Sequence, residues 1–352
     1  MIEDRTLLDG AQTPGEVVAW LVAWLGEARS SLDIALYDVR LPGPVGDAVA
    51  DAIREATARG VAVRIAFNVD GDRARKPLPP PPRTDPSLLE TLGVPLRAIP
   101  GDPDLMHHKY VVRDLAAVWT GSTNWTLDSW TREENVLVTV DSAPLARAYA
   151  RDFEELWRHG RVEGSGAFDV PPIDVEGVPV RAWFSPGRGP ELSARIAKRI
   201  LSARRRVRIA SPVLTAAPIL AALNQALSEG RVDVAGVSDA TQLGQVFAQW
   251  HDNEHSAWKG PLLARVLSGL PWAGKVSTPY APGAVHDYMH AKVTVADDVV
   301  FVGSFNLSRS GEENAENVLE IVDAGLAERM AAFVDAVRAR YPAVALPAYA
   351  AT

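Results

Sequence analysis

The strongest constraint on this chain is that it repeats itself. Met106-His107-His108-Lys109-Tyr-Val-Val-Arg-Asp114 is followed by Gly121-Ser122-Thr123-Asn124 and by Glu134-Asn135-Val136-Leu137. Met289-His290-Ala291-Lys292-Val-Thr-Val-Ala-Asp297 is followed in the same way by Gly303-Ser304-Phe305-Asn306 and Glu316-Asn317-Val318-Leu319. The His, Lys and Asp of the two copies stand 183 residues apart, and the Ser, Asn and Glu 182. One deleted residue between Asp297 and Gly303 accounts for the difference. A repeat of this length makes each half one structural unit and predicts a bilobal molecule with internal pseudo-twofold symmetry.

The segments before each motif repeat too. Ser31 to Tyr37 reads as a strand, Val45 to Ala58 as a helix stopped at Arg59-Gly60, and Val61 to Phe67 as a strand. In the second half, Val207 to Pro212, Pro218 to Leu227 with Gly230 as the stop, and Val232 to Val237 follow the same order. Strand, helix and strand predict a right-handed βαβ unit and a parallel-dominated sheet. The fold class expected is α/β, with two related mixed sheets flanked by helices. Thr13-Pro14-Gly15-Glu16 has the form of a capping box with an early proline, opening a helix through Leu25. Helical spacing from Leu145 to Trp157 closes the first half, and from Leu326 to Arg338 the second. The expected lobes are 1–162 and 179–352, with the Gly- and Pro-bearing stretch 163–178 as linker. Lys76-Pro-Leu-Pro-Pro-Pro-Pro82 reads as an extended surface loop.

His and Lys two apart on a strand share one face, so an imidazole and an ammonium meet the same ligand. Two copies brought together supply two imidazoles, two ammonium groups and two side-chain amides, a set suited to one phosphate. One imidazole can attack phosphorus while the other serves as general acid and then base. A lone buried histidine is more often structural; two intact copies favour chemistry.

Carried on these motifs, the chain resembles the phospholipase D superfamily, over nearly its whole length and including Phe184-Ser185-Pro186 at the opening of the second half. The resemblance implies a phosphodiesterase working through a phosphohistidine, with His107 as nucleophile and His290 as general acid. Lys109 and Lys292 would hold the phosphate, with Asn124, Asn306, Ser122 and Ser304 in the phosphate-binding turns. Glu134 and Glu316 would orient the imidazoles, and Asp114 and Asp297 would be structural, behind the site. No cofactor and no metal is expected, since the lysines supply the positive charge. His108 lacks the spacing to Lys109 and reads as a neighbour. His251 and His255, four apart, read as side chains turned to water in preference to metal ligands. His286-Asp287 is a candidate for the entrance, and Ala240 to Tyr288, rich in aromatic residues, is a candidate lid or packing segment.

The substrate is less legible than the reaction. A net charge of −8 argues against an extended nucleic-acid-coating surface, though not against a local basic cleft. With the aromatic tract it favours phospholipid hydrolysis or headgroup exchange and compatibility with peripheral membrane contact. Endonuclease action on DNA or RNA is the alternative, and a non-catalytic phosphate-binding scaffold the alternative of another class. The longest apolar run near the start, Val17 to Leu25, is far short of the roughly 20 residues of a membrane span. With no secretory signal visible, a cytoplasmic location is expected. The chain has no cysteine, so disulfide and thiolate chemistry are excluded. Both motif copies lie in one chain, so the expected working unit is a monomer.

Overall fold

The computed structural model describes residues 1–70, 85–281 and 283–347; the proline run at 76–82 lies outside them. The first half runs β1 (Ile2–Leu7), α1 (Pro14–Gly26), β2 (Ser31–Leu36), β3 (Val39–Arg40), α2 (Gly43–Ala58), β4 (Ala62–Val69), α3 (Ser87–Glu90), β5 (Leu96–Pro100), β6 (Lys109–Arg113), β7 (Ala117–Gly121), β8 (Trp125–Thr126), α4 (Leu127–Thr131), β9 (Asn135–Asp141) and α5 (Ala143–His159). The second runs β10 (Ile173–Val175), β11 (Val178–Ser185), α6 (Gly189–Ser202), β12 (Arg206–Ala210), α7 (Ala217–Glu229), β13 (Asp233–Asp239), α8 (Ala240–His251), α9 (Glu254–Ala257), α10 (Lys259–Gly269), β14 (Trp272–Lys275), β15 (Val293–Ala296), β16 (Val299–Gly303), α11 (Arg309–Glu313), β17 (Glu316–Val322) and α12 (Ala324–Ala339). Thr13 caps α1 with both hydrogen bonds of the capping box in place. Among the described residues no helix is long and apolar enough to cross a membrane.

One sheet has the order β1-β9-β7-β6-β2-β4-β5 and the other β10-β11-β17-β16-β15-β12-β13-β14. The βαβ units are present, with β2 parallel to β4 and β12 parallel to β13. The expectation that parallel pairing dominates is corrected: every pair from β6 to β1, and from β15 to β10, is antiparallel. The strand after each motif returns through a short turn, and such a connection joins antiparallel strands only.

Three cores make five layers. One packs α1 and α2 against the first sheet, and another packs α6, α7, α8 and α10 against the second. The third lies between the sheets, is shared by both halves, and contains α5 and α12. The stretch 163–178 is packed into this shared core through Phe168, Val170 and Val175, and its end forms β10. The aromatic tract divides: Phe247, Trp250 and Trp272 are core, whereas Trp258 is 55% exposed.

The repeat slips by one residue at β9. Gly121 on β7 pairs with Leu137, whereas Gly303 on β16 pairs with Val318. The glycines are 182 apart but their partners only 181. Hydrophobic alternation explains it. In the observed register Val136, Val138 and Val140 face the shared core, each at most 1% exposed. The register implied by the motif would put Leu137, Thr139 and Asp141 there. A one-residue slip exchanges the two faces of a strand, and three buried valines outweigh one leucine beside a threonine and a carboxylate.

Candidate active site

Each motif is laid against the other half. Met106 bridges to Ala315 and Met289 to Glu134, both parallel. The His107 backbone N–H donates to Ala315 O at 2.9 Å. His107 Nδ1 lies 2.8 and 2.9 Å from the two oxygens of Glu316. His290 Nδ1 lies 3.1 Å from Asn135 Oδ1 and 3.2 Å from Glu133 Oε2. Each imidazole thus has its Nδ1 tied by the opposite half, which leaves Nε2 for a ligand. Lys109 Nζ donates to His107 O at 2.7 Å and Lys292 Nζ to His290 O at 2.6 Å, so each ammonium is folded back beside its own histidine.

These groups share one electrostatic environment. Burial, then Lys109 and Lys292, hold His107 well below the usual histidine range. Burial and the same lysines, with His107 itself, do so for His290. Burial pulls Lys109 down to about 7. Burial and then Lys109 pull Lys292 well below the usual lysine range. Burial pushes Glu316 and Glu133 each up to about 7. Cations crowded this way out of water are stabilised by an anion bound among them.

The turn after each motif strand is held by close backbone approach. Ser122 N donates to Val136 O and Ser304 N to Asn317 O, both at 2.9 Å. A Cβ on Gly121 or Gly303 would fall 2.1 Å from those same two carbonyl oxygens, so only glycine fits. Ser122 Oγ donates to Asn135 Oδ1 at 2.6 Å. Ser304 Oγ accepts from Asn317 N at 3.1 Å. Asn124 and Asn306 each keep an amide oxygen that is buried and without a hydrogen-bond partner. Each amide thus keeps one end that the fold does not use; turned over, it would present an N–H donor there to a phosphate oxygen. Asp114 accepts from the backbone N–H groups of Arg29, Ser30 and Ser31, and Asp297 from those of Arg204, Arg205 and Arg206. Both aspartates fasten a turn to the strand end and take no part in the cluster of imidazoles.

The expectation for Glu134 is corrected. Its Oε2 accepts from Lys275 Nζ at 3.0 Å and its Oε1 from the Tyr341 hydroxyl. Lys275 is itself 3.1 Å from Asp9. The slip at β9 turns Glu134 to the face away from His290 and brings Glu133 and Asn135, two apart, to the face toward it. The signal was present in the alternation of Val136, Val138 and Val140, which fixes the face of every residue on β9. Sequence reasoning also missed Tyr37, whose ring meets His107 edge-on at 4.6 Å and lies 4.8 Å beneath Lys109 Nζ. His108 is buried, with Nε2 3.0 Å from Asp152 Oδ2, close but poorly aimed for a hydrogen bond. His286 Nδ1 lies 3.1 Å from Arg40 of the first half, between the rings of Tyr280 and Tyr288 at 5.5 Å each. Among the described residues no group of three His, Asp or Glu could hold a metal ion, His251 and His255 included.

A family model described as cardiolipin synthase, PLD-like domain, matches residues 21–157 and again 196–337. A mitochondrial cardiolipin hydrolase of Xenopus tropicalis is 32% identical over 139 residues, covering 39% of this chain and 60% of the relative. The human protein of that name is 31% identical over 131 residues, covering 37% of this chain and 46% of the relative. The chain thus spans about half the length of the curated relatives it matches. The crystal structure of phosphatidylserine synthase from Haemophilus influenzae Rd KW20 superposes with a TM-score of 0.65 at 13% identity, over 96% of this chain and 85% of the other, a likeness of fold.

Proposed function

Because the chain belongs to the phospholipase D-like family, we propose that it is a phosphodiesterase that cleaves phospholipids through a covalent phosphohistidine, without a metal ion. The observation that carries this reading is the exchange of partners at the site. Glu316 of the second half holds His107, and Glu133 and Asn135 of the first hold His290. In this reading two imidazoles face one ligand space with two ammonium groups beside them, which the mutual influence of His107, His290, Lys109 and Lys292 supports.

In the proposed reaction the Lys109 and Lys292 ammonium groups and the Asn124 and Asn306 amides take the non-bridging oxygens of the diester. His107 presents an Nε2 lone pair because its Nδ1–H is held by the Glu316 carboxylate. Nε2 attacks phosphorus, the bond from phosphorus to the leaving oxygen breaks, and that oxygen takes a proton from His290 Nε2, which the negative charge of the bound diester holds as an imidazolium against the burial and the lysines that depress the free group. His290, now neutral, removes a proton from water. The water oxygen attacks phosphorus, the P–N bond breaks, and His107 is regenerated. An alcohol in place of water gives headgroup exchange. Both copies lie in one chain, so we read the monomer as the working unit.

The names of the curated relatives make cardiolipin the first lipid to try. The rings of Tyr280, His286 and Tyr288 favour a second reading, a nuclease that stacks bases at the entrance. The test is hydrolysis of cardiolipin and phosphatidylcholine vesicles beside single-stranded and duplex DNA, in EDTA, with His107→Ala as control. Release of phosphatidate that the control lacks supports the lipid reading. Cleavage of DNA alone supports the second reading. A requirement for divalent metal defeats both.

A further inference from the structure

We propose that Glu133 is the positioning carboxylate of the proton donor His290, and that it replaces Glu134, the residue the motif spacing designates. The inference rests on the phosphodiesterase reading and adds a residue to it. It follows from the slip at β9, which gives this chain an unequal pair of histidine supports.

On the His107 side the support is one carboxylate, both of whose oxygens lie on Nδ1. The place on β9 that corresponds to Glu316 is filled by Asn135. Val136 N donates to Ser122 Oγ at 3.0 Å, as Asn317 N donates to Ser304 Oγ at 3.1 Å, and the residue before each is Asn135 and Glu316. An amide in that place accepts the Nδ1–H of His290 but cannot balance an imidazolium. The carboxylate enters from two residues earlier. Glu133 is 3% exposed, and its Oε2 lies 3.2 Å from His290 Nδ1. The Asn135 Nδ2 group donates to that same oxygen at 3.2 Å and to Ser129 O at 3.0 Å.

Burying a carboxylate is costly unless a partner needs its charge. Glu134 has such partners in Lys275 and Tyr341, which join the halves. Glu133 has the Asn135 amide, the Ser129 hydroxyl and the ring of His290, with Lys292 and Lys275 acting on it through space. The ring of His290 is the one of these whose charge changes in the proposed reaction, so the carboxylate serves the histidine. When His290 holds the proton destined for the leaving oxygen, Glu133 stabilises the imidazolium. When the proton has left, the Nδ1–H remains between Glu133 and Asn135, and Nε2 is free to take a proton from water.

A residue that acts through the proton donor matters in proportion to how badly the leaving group needs a proton. The test compares a diester whose leaving group departs as an alkoxide, phosphatidylcholine, with bis(p-nitrophenyl) phosphate, whose leaving group is stable as an anion. Glu133→Gln, nearly the same in shape, is expected to lower kcat on the first about 100-fold and on the second less than tenfold. Glu134→Gln is expected to change both equally and to lower the melting midpoint. Glu133→Asp should recover part of the alkyl-ester activity lost in Glu133→Gln. Equal losses on the two esters with Glu133→Gln, or a leaving-group dependence that follows Glu134→Gln instead, overturn the proposal. If wild type and His107→Ala hydrolyse both esters equally, the phosphodiesterase reading has failed, and Glu133 was not the cause.

Discussion

The two halves carry the same motif letters but do not do the same work with them. Behind His107, the shared core is polar. Tyr110 donates to Asp152 at 2.8 Å, Thr120 and Tyr149 donate to Asn317 at 2.5 and 3.0 Å, and Asn317 Nδ2 lies 3.2 Å from His108 Nδ1. At the places the pseudo-twofold relates to these, the second copy has Ala291, Val293, Met330, Phe333 and, because of the slip, Val136, all buried and apolar. In front, His107 has the ring of Tyr37, whose counterpart on the chain leaving β12 is Pro212. A duplicated frame has thus been kept where it places backbone and ligand-facing groups. It has diverged where it sets the environment of each imidazole.

The largest effect that can break this comparison is on the histidines themselves. Loss of either ring should lower turnover of an alkyl diester by about 10³-fold or more. With an activated diester the two should part company. His290→Ala should still form the phosphoenzyme and accumulate it, because nothing remains to activate water. His107→Ala should form none. Protein denatured in alkaline detergent, where the P–N bond survives, from reactions with labelled substrate reads the difference directly. Accumulation in His107→Ala instead would reverse the roles of the halves.

The lysines come next. Lys109→Met and Lys292→Met each remove one cation from the phosphate oxygens and should cost about 10²–10³-fold in kcat. Burial pulls Lys109, which lies over Tyr37, down to about 7, and burial and then Lys109 pull Lys292 well below the usual lysine range. Removing Lys109 should therefore raise the proton affinity of Lys292. In Lys109→Met, activity should persist to higher pH than in wild type if a charged Lys292 is what the reaction needs. An unmoved alkaline limb would separate the two lysines.

Much of this was legible before any coordinates. The Asp, His, Lys, Ser and Asn positions are set by chemistry that the motif spells out letter by letter, and the βαβ units are set by strong hydrophobic periodicity. The position of Glu134 was misjudged because motif spacing and strand alternation disagree by one residue over 134–141, and packing decides such conflicts. Val136, Val138 and Val140 carried that information, but only once it is known that their face meets a core shared by both halves. Tyr37 carries no short-range signal because it meets His107 and Lys109 through the pairing of β2 with β6, and the partnership of Arg40 with His286 carries none because it depends on how a turn of one half approaches a loop of the other. The antiparallel majority was readable from the short turns after Asp114 and Asp297, had these been weighed against the βαβ pattern.

The polar network behind His107 sharpens the comparison through stability. Asp152→Ala leaves the Tyr110 hydroxyl buried without its acceptor and His108 without its carboxylate, which should cost about 1–3 kcal/mol. Converting the first copy toward the second, His108→Ala with Asp152→Ala, should cost less than the sum of the single changes, because each removes what the other strands. Additive losses in urea unfolding would mean that the two side chains are independent, and that the network is only a set of neighbours.

The smallest expected effect lies where the halves agree. Asp114 and Asp297 both adopt positive φ, 56° and 53°, and both accept three backbone N–H groups. Burial raises each carboxyl, but those backbone donors outweigh it, and both are held below the usual aspartate range. Each group's folded value thus lies below its unfolded value of about 3.9. The stability it contributes is fully present above about pH 4 and disappears as pH falls through the folded value. Asp114→Ala and Asp297→Ala should each cost about 1 kcal/mol at neutral pH, in the range of a lost helix cap, with kcat per folded molecule close to wild type. The deficit should shrink as the urea midpoint is followed from about pH 7 to about pH 3. Arg205 stands 4.0 Å from Asp297, and the partners of Asp114 are backbone and hydroxyl groups, so only the Asp297 deficit should fall with added salt. A loss of kcat at either position would place that aspartate in the site and undo the division between frame and chemistry.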